Sequence, residues 1–388
     1  MKSRIISCSF VVLCIGVLFA GMLGTVLKPD IRKSDLENRY LSQYEPPTAA
    51  TVLDGSWFNF LETYSKDQFF VRDSALKAYN LFLDSLCVRE RNGYILGVDS
   101  FIMPVNSFYP STADASYGDA QVAAMKLFAS AADTYGGTVI YLNAPHKNEM
   151  FPEKYPALYS NQEKNHTAQR ASIIEKAKAA GISVVETYDL LVSHKDDYIY
   201  YATDHHWTVR GAYYAYQELL EHISELEGNQ KLCFPALDEL DSQRSPRRMA
   251  GSYLRTFGDS GLINVDYMEY LIPEDMPEYT RYDNGEISKR ALYNANYSNY
   301  SSFMGGDIGN TVIETNRNEL PSVLFIGLSY SNPLEFFSVY NFDRVESIDP
   351  RHWSGSICQY IKQSQPDYIV VVRDDIYEGR PGNTCTME

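Results

Sequence analysis

Four consecutive positions, Asp204, His205, His206 and Trp207, carry an acid, two imidazoles and an indole in a chain with only 7 histidines among 388 residues. In an extended or turning backbone, residues two apart project to the same side. Asp204 and His206 are therefore expected to touch, with His205 pointing away. A carboxylate on one imidazole nitrogen fixes the tautomer and leaves the other nitrogen to act as a base, so the pair lacks only a nucleophile.

Gly327-Leu328-Ser329-Tyr330-Ser331-Asn332-Pro333 supplies the best one. Ser329 follows the apolar run Ser322–Ile326, and Pro333 restarts the chain as a helix. In open parallel sheets chemistry sits where strands end. The free N–H groups of a helix start can hold an oxyanion. Oxyanion candidates are the backbone N–H of Ser329 and the side chains of Asn332 and Lys147, the latter at the end of another strand-like run. Trp207, Tyr330 and Tyr201 are candidates for substrate contact, although Trp207 could equally wedge the motif into the core. Ser260, in the literal Gly258-Asp259-Ser260, is a weaker nucleophile because no strand leads into it. A metal site built from Asp204, His205 and His206 with His146 or His352 is disfavoured, since adjacent residues rarely converge on one ion; no metal and no cofactor are expected.

These groups need a scaffold, and the pattern around them is α/β. Helical periodicity over 119–135 stops at Gly136-Gly137 and is followed by the strand Thr138–Leu142. A second helix over 167–180 stops at Gly181 before the strand 182–186. Thr208 is a good N-cap for a helix to about Leu226. After the irregular, Tyr- and Asn-rich segment 237–320, read as an insertion or cap, strands resume at 322–327 and 367–372. Helix, glycine stop and β-branched strand in repetition predict a mainly parallel sheet covered by helices.

At the other end of the chain, Lys2 and Arg4 precede an apolar run from Ile5 to Leu27. As a helix it would be roughly 34 Å long, enough for a bilayer core of about 30 Å. Residues 1–28 are read as a cytoplasmic tip and uncleaved anchor, with everything later extracytoplasmic, 29–68 as a stalk and 69–388 as the folded domain. Trp57 to Leu86 reads as one amphipathic run. A net charge of −16 argues against nucleic acid, and 45% apolar residues argue against disorder. The 31 tyrosines suit sugar contacts as well as ordinary packing. Cys87, Cys233, Cys358 and Cys385 show no zinc spacing; a Cys358–Cys385 disulfide and free buried thiols both remain open.

The Asp204-His205-His206-Trp207 tetrad resembles the DHHW family, SGNH-hydrolase-like proteins related to those that O-acetylate alginate. Supporting segments in order are Glu37-Asn38-Arg39, Asp67 to Arg72, Asn92 to Gly97, Gly305-Gly306-Asp307 and the Ser329 turn. The resemblance implies an SGNH-hydrolase-like three-layer α/β/α fold with Ser329 as nucleophile, His206 as base and Asp204 as orienter. It also implies membrane-anchored O-acetyl transfer to an exported or cell-surface polysaccharide, with a multispanning membrane acyltransferase as acetyl donor. Many relatives carry Gly-Asp-Ser where this chain has Gly327-Leu328-Ser329. A carbohydrate O-acetylesterase, or a non-catalytic glycan-binding or assembly protein, is the alternative.

Overall fold

The computed structural model describes residues 2–34, 36–37, 39–105, 116–159, 164–228, 232–263 and 266–374. Cys385 lies outside the described residues, and with it the Cys358–Cys385 pairing. Cys14 and Cys87 are exposed thiols. The chain divides into two compact units, one of residues 1–92 with 254–264, the other of 93–253 with 265–388.

In the first unit α1 (Lys2–Leu27) precedes α2 (Ser56–Gln68) and α3 (Arg72–Ser85). Ser9–Leu27 of α1 is long and apolar enough to cross a membrane. The amphipathic run expected over 57–86 is two helices rather than one, because Phe69 leaves the helical region (ψ 126°) and Arg72 starts afresh. Ile31 and Arg39 are tied to the α2–α3 turn by side-chain bonds: Gln68 bonds both backbone groups of Ile31, and Asp67 bonds Arg39.

The second unit is built on an eight-stranded sheet. Its helices are α4 (Asp119–Ala132), α5 (Lys164–Ala179), α6 (Val209–Glu227), α7 (Asn332–Asn341) and α8 (Ile357–Ser364). Besides the short strands Tyr94–Leu96 and Ile102–Pro104 of a small separate sheet, its strands in chain order are β1 (Thr138–Ala144) and β2 (Ser183–Glu186), a separate antiparallel pair β3 (Asp241–Met249) and β4 (Asp266–Ile272), then β5 (Thr280–Asp283), β6 (Glu286–Ile287), β7 (Asn310–Glu314), β8 (Ser322–Gly327), β9 (Arg344–Ile348) and β10 (Tyr368–Asp374). The sheet order is β6-β5-β7-β9-β8-β10-β1-β2. The five strands from β9 to β2 are all parallel, and β7, β5 and β6 add an antiparallel edge.

Alternation along the strands creates the three layers. Ile140, Leu142, Val323, Phe325, Val370 and Val372 join the core under α6 and α7. Their neighbours Val139, Tyr141, Leu324, Ile326, Ile369 and Val371 join the core under α4, α5 and α8. Helices end where glycine relieves the chain: Gly136 and Gly181 adopt φ of 92° and 77° just after α4 and α5, a region other residues enter at a cost. The irregular segment 237–320 does more than cover the domain, since residues 280–314 extend the sheet itself.

Candidate active site

All the groups of the site lie in the second unit. The histidine segment is a loop closed at its base by a bridge between Tyr200 and Trp207 and by Thr208 N–H to Ile199 O at 2.8 Å. Thr208 then caps α6, its hydroxyl accepting from the N–H groups of Arg210 and Gly211. Inside the loop the backbone bends, so its amide and carbonyl groups find no partner in a ladder and must be satisfied otherwise.

Two buried charges do this. The Asp266 carboxylate, on β4, accepts from the N–H of Ala202 at 2.8 Å and of Thr203 at 2.7 Å, from the Thr203 hydroxyl, and from the Tyr198 hydroxyl at 2.8 Å. Lys147 Nζ donates to the carbonyls of Ile102 (3.1 Å), Ala202 (2.6 Å) and Asp204 (2.9 Å). Gly251 lies against the same loop, where an added Cβ would sit 2.2 Å from Thr203 O and 2.6 Å from Asp204 Cβ. No other residue fits there without moving the loop.

On this support, Asp204 Oδ1 meets His206 Nδ1 at 2.6 Å and His206 Nε2 meets Ser329 Oγ at 2.7 Å. Asp204 Oδ1 also accepts from the N–H of His205, and Oδ2 from the N–H of Ser252 at 2.6 Å. Burial raises the Asp204 pKa, but His205, His206 and these donors outweigh it and hold the carboxyl well below the usual range. With Asp204 ionised, Nδ1 carries the imidazole proton and Nε2 accepts from the Ser329 hydroxyl. Tyr300 stacks flat on the His206 ring, centroids 3.8 Å apart and planes 6° apart, fixing its rotation.

Ser329 begins a tight 3-10 turn between β8 and α7. Space, not an unusual φ, favours Gly327: a Cβ there would lie 3.1 Å from both Ser331 Oγ and Val372 O, a tight contact that these neighbours would have to relieve by a few tenths of an ångström. Asn332, at the first turn of α7, is buried, and its Nδ2 has no hydrogen-bond partner among the described residues. It lines a small polar cavity with Gly327, Leu328, Asp307, Glu335 and Asp349. Burial pushes the Glu335 carboxyl up to about 7, against the hydrogen bond it accepts from Ser331.

The other sequence-level candidates have different places. Trp207 and Tyr330 are buried and bind each other's loops: the indole N–H donates to Tyr330 O at 3.2 Å, and the Tyr330 hydroxyl donates to His205 O at 2.6 Å. Neither presents a face to a substrate. Tyr201 is fully buried with its hydroxyl on Met268 Sδ. Lys147 is spent on three carbonyls, and burial lowers its pKa to about 7. His205 does not point away. Because the loop bends instead of extending, its ring lies 3.7 Å from that of His206 and its Nδ1 is 3.0 Å from Ser252 Oγ. Burial and the adjacent imidazole lower its pKa to about 3, so it is neutral. Ser260 belongs to the first unit, where its Oγ accepts from Leu262 N–H in a turn after a short helix.

Among the described residues, two groups could each offer three metal-ligating atoms, Asp204-His205-His206 and Asp307-Asp349-His352; neither includes His146. In the first, the carboxylate is engaged by the imidazoles and amides; in the second, Asp307 and Asp349 both hold Arg351, at 2.8 and 2.6 Å. Asp266, Tyr300, Gly251 and Arg351 were not singled out from sequence, and nothing in the local letters marks them.

Residues 95–274 match the family model described as SGNH hydrolase-like domain, acetyltransferase AlgX. A probable alginate O-acetylase AlgJ of Pseudomonas syringae pv. tomato is 26% identical over 200 residues, 49% of each chain. The chain thus aligns with about half the length of that curated relative. A DHHW family protein from Eubacterium siraeum superposes with a TM-score of 0.60 at 19% identity, covering 76% of this chain and 95% of that one. PatB1 of Bacillus cereus gives 0.61 at 17%, covering 73% and 95%. The SGNH-like α/β fold and the resemblance read from the tetrad are borne out.

Two outcomes follow from the geometry. Asp266→Ala leaves two buried amides and two hydroxyls without their acceptor and is expected to lower stability by about 2–4 kcal/mol, read by urea denaturation. Glu335 has a folded pKa of about 7, above its unfolded value, so its stabilising contribution is present at low pH and lost as the pH rises through that value. Glu335→Gln should therefore flatten the fall in thermal midpoint between pH 5 and pH 8, a change of a few degrees by scanning calorimetry.

Proposed function

Taking the chain as an SGNH-hydrolase-like protein of the DHHW type, related to the alginate O-acetylation proteins, we propose that it is a membrane-anchored, extracytoplasmic O-acetyltransferase acting on polysaccharide hydroxyls. The observation that carries this reading is the relay from Asp204 Oδ1 to His206 Nδ1 (2.6 Å) and from His206 Nε2 to Ser329 Oγ (2.7 Å).

In this reaction Ser329 Oγ attacks the acetyl carbonyl carbon of the donor while His206 Nε2 takes the serine proton. Negative charge collects on the carbonyl oxygen. The Ser329 N–H and Asn332 Nδ2, which lacks a partner among the described residues, are suited to hold it. The tetrahedral species collapses with loss of the donor alcohol or thiol, which receives the proton from His206, leaving acetyl-Ser329. A sugar hydroxyl then gives its proton to His206 and attacks the same carbonyl carbon. A second collapse breaks the serine ester, returns the proton to Ser329 Oγ and releases the acetylated glycan. Asp204 stays ionised and stabilises the imidazolium in both halves.

The polysaccharide acceptor follows from the alginate O-acetylase relative and the multispanning acetyl donor from the resemblance; the single span in the bilayer rests on α1, with Lys2 and Arg4 on the cytoplasmic side.

Purified full-length chain in detergent, given an aryl acetate and an oligosaccharide acceptor, should form acetyl ester on the glycan. Ser329→Ala and His206→Ala should each lower kcat/KM by about 10³-fold or more, Asn332→Ala by about 10²-fold, and Ser260→Ala should leave it unchanged. Loss in Ser260→Ala with Ser329→Ala intact overturns the assignment. Ester hydrolysis without glycan product makes the protein an esterase, and absence of both turnover and a serine adduct favours a glycan-binding scaffold.

A further inference from the structure

Two motifs remain unused by this chemistry, Glu37 with Arg39 and the run Asp67 to Arg72, and the first unit joins them. The Asp67 carboxylate takes two bonds from the Arg39 guanidinium, at 3.0 and 2.5 Å, and one from Ser42 N–H at 2.9 Å. Its pKa falls to about 2, chiefly through Arg39. Glu37 pairs with Arg72 across the same turn. The Gln68 amide closes the clamp, accepting from Ile31 N–H and donating to the carbonyls of Ile31 and Ser42.

The clamp leaves the tip of the α2–α3 turn, Phe69-Phe70-Val71, more than a third exposed at each residue. That tip lies against α1. A Cβ on Gly21 would meet the Phe69 ring at 3.3 Å, and one on Gly24 would meet the Phe70 ring at 2.9 Å. Both glycines belong to the candidate span Ser9–Leu27. They lie about 9 and 4.5 Å inside its outer end at about 1.5 Å per residue. The carbonyls of the tip are suited to such a depth. Phe69 O accepts from Arg72 N–H, Phe70 O from Lys28 Nζ at 3.2 Å, and Val71 O from Ala75 N–H, so its carbonyls need no water.

From this placement we infer that Phe69, Phe70 and Val71 are inserted into the acyl region of the outer leaflet beside α1, a wedge of hydrocarbon-facing side chains held down by the Arg39–Asp67 clamp. The occupant of this apolar surface is lipid, because a single span is surrounded by acyl chains at the depth of Gly21 and Gly24. Lys28, bonded to Phe70 O, marks the interface where a lysine head reaches water and headgroups. The inference rests on α1 being a retained span, and it replaces a loose stalk with a first unit seated on the membrane.

The test uses the full chain in phosphatidylcholine vesicles, each version carrying one reactive thiol with a fluorescent label: native Cys14, Phe70→Cys, or Asp54→Cys at the far end of α2. Lipids brominated near the headgroup end of the acyl chain should quench the label at position 70 severalfold more than at position 54. Lipids brominated near the bilayer centre should quench Cys14. In every version the remaining free cysteines, Cys87 among them, are replaced by serine, and Cys14 too where another position carries the label. Adding Arg39→Ala should reduce quenching at position 70 and leave Cys14 unchanged. Val71→Cys repeats the measurement should the Phe70 variant misfold. Quenching at Cys14 with position 70 no different from position 54 overturns the wedge while keeping the anchor, and leaves the surface to a protein partner. No quenching at Cys14 overturns the anchor and the wedge together.

Discussion

The site depends on a reciprocal pair of buried hydrogen bonds between two loops more than 120 residues apart in sequence. Trp207 donates to the carbonyl of Tyr330, and Tyr330 donates to the carbonyl of His205. Each aromatic ring fills space in the other's loop, 5.2 Å between centroids, while its polar edge satisfies a backbone oxygen that a bent loop leaves without a ladder partner. His206 and Ser329 are the neighbours of the two staple residues, so fixing the staple fixes their separation. A 2.7 Å contact between Nε2 and Oγ is thereby a property of the packed core rather than of two mobile side chains.

The supports of the histidine loop have opposite charge and act on opposite groups. Asp266 receives the amides of Ala202 and Thr203, and Lys147 gives to the carbonyls of Ala202 and Asp204. Neither is a contact-distance ion pair; the backbone lies between them as a dipolar spacer. Each buried charge is compensated by oriented peptide groups, which also pins those peptides. Lys147 therefore belongs to the loop's foundation.

The strands and helices were legible because their signal is periodic. Val139 to Leu142 and Val323 to Ile326 alternate between the two cores, and glycine stops follow the helices where expected. The Asp204, His206 and Ser329 set was legible because it combines a two-residue spacing with a strand-end serine. What escaped was everything whose meaning lies in contact. Gly251 matters only because Thr203 O approaches it from a distant segment, and Asp266 only because β4 passes beneath the loop. Tyr300 lies in a run of Tyr and Asn whose composition reads as turns. The error over His205 has a physical source. Alternation of side chains holds for a pleated strand, and here the backbone bends back so that Asp204 Oδ1 can receive successive amides.

Leu328 is the residue that distinguishes this turn from the Gly-Asp-Ser form that the family resemblance implies. Its carbonyl accepts from the N–H of Ser331 at 3.0 Å, a service of the backbone that any side chain leaves intact. The carboxylate that orients His206 comes from position 204, so the relay needs none at 328. Leu328 also borders the polar cavity that already contains Asp307, Glu335 and Asp349. Arg351 offsets two of those acids, while burial keeps the third near neutrality. A fourth carboxyl there would add negative charge to a lining in which Arg351 already serves two acids. Leucine adds no charge to that lining, which it shares with Asn332, whose Nδ2 has no partner among the described residues.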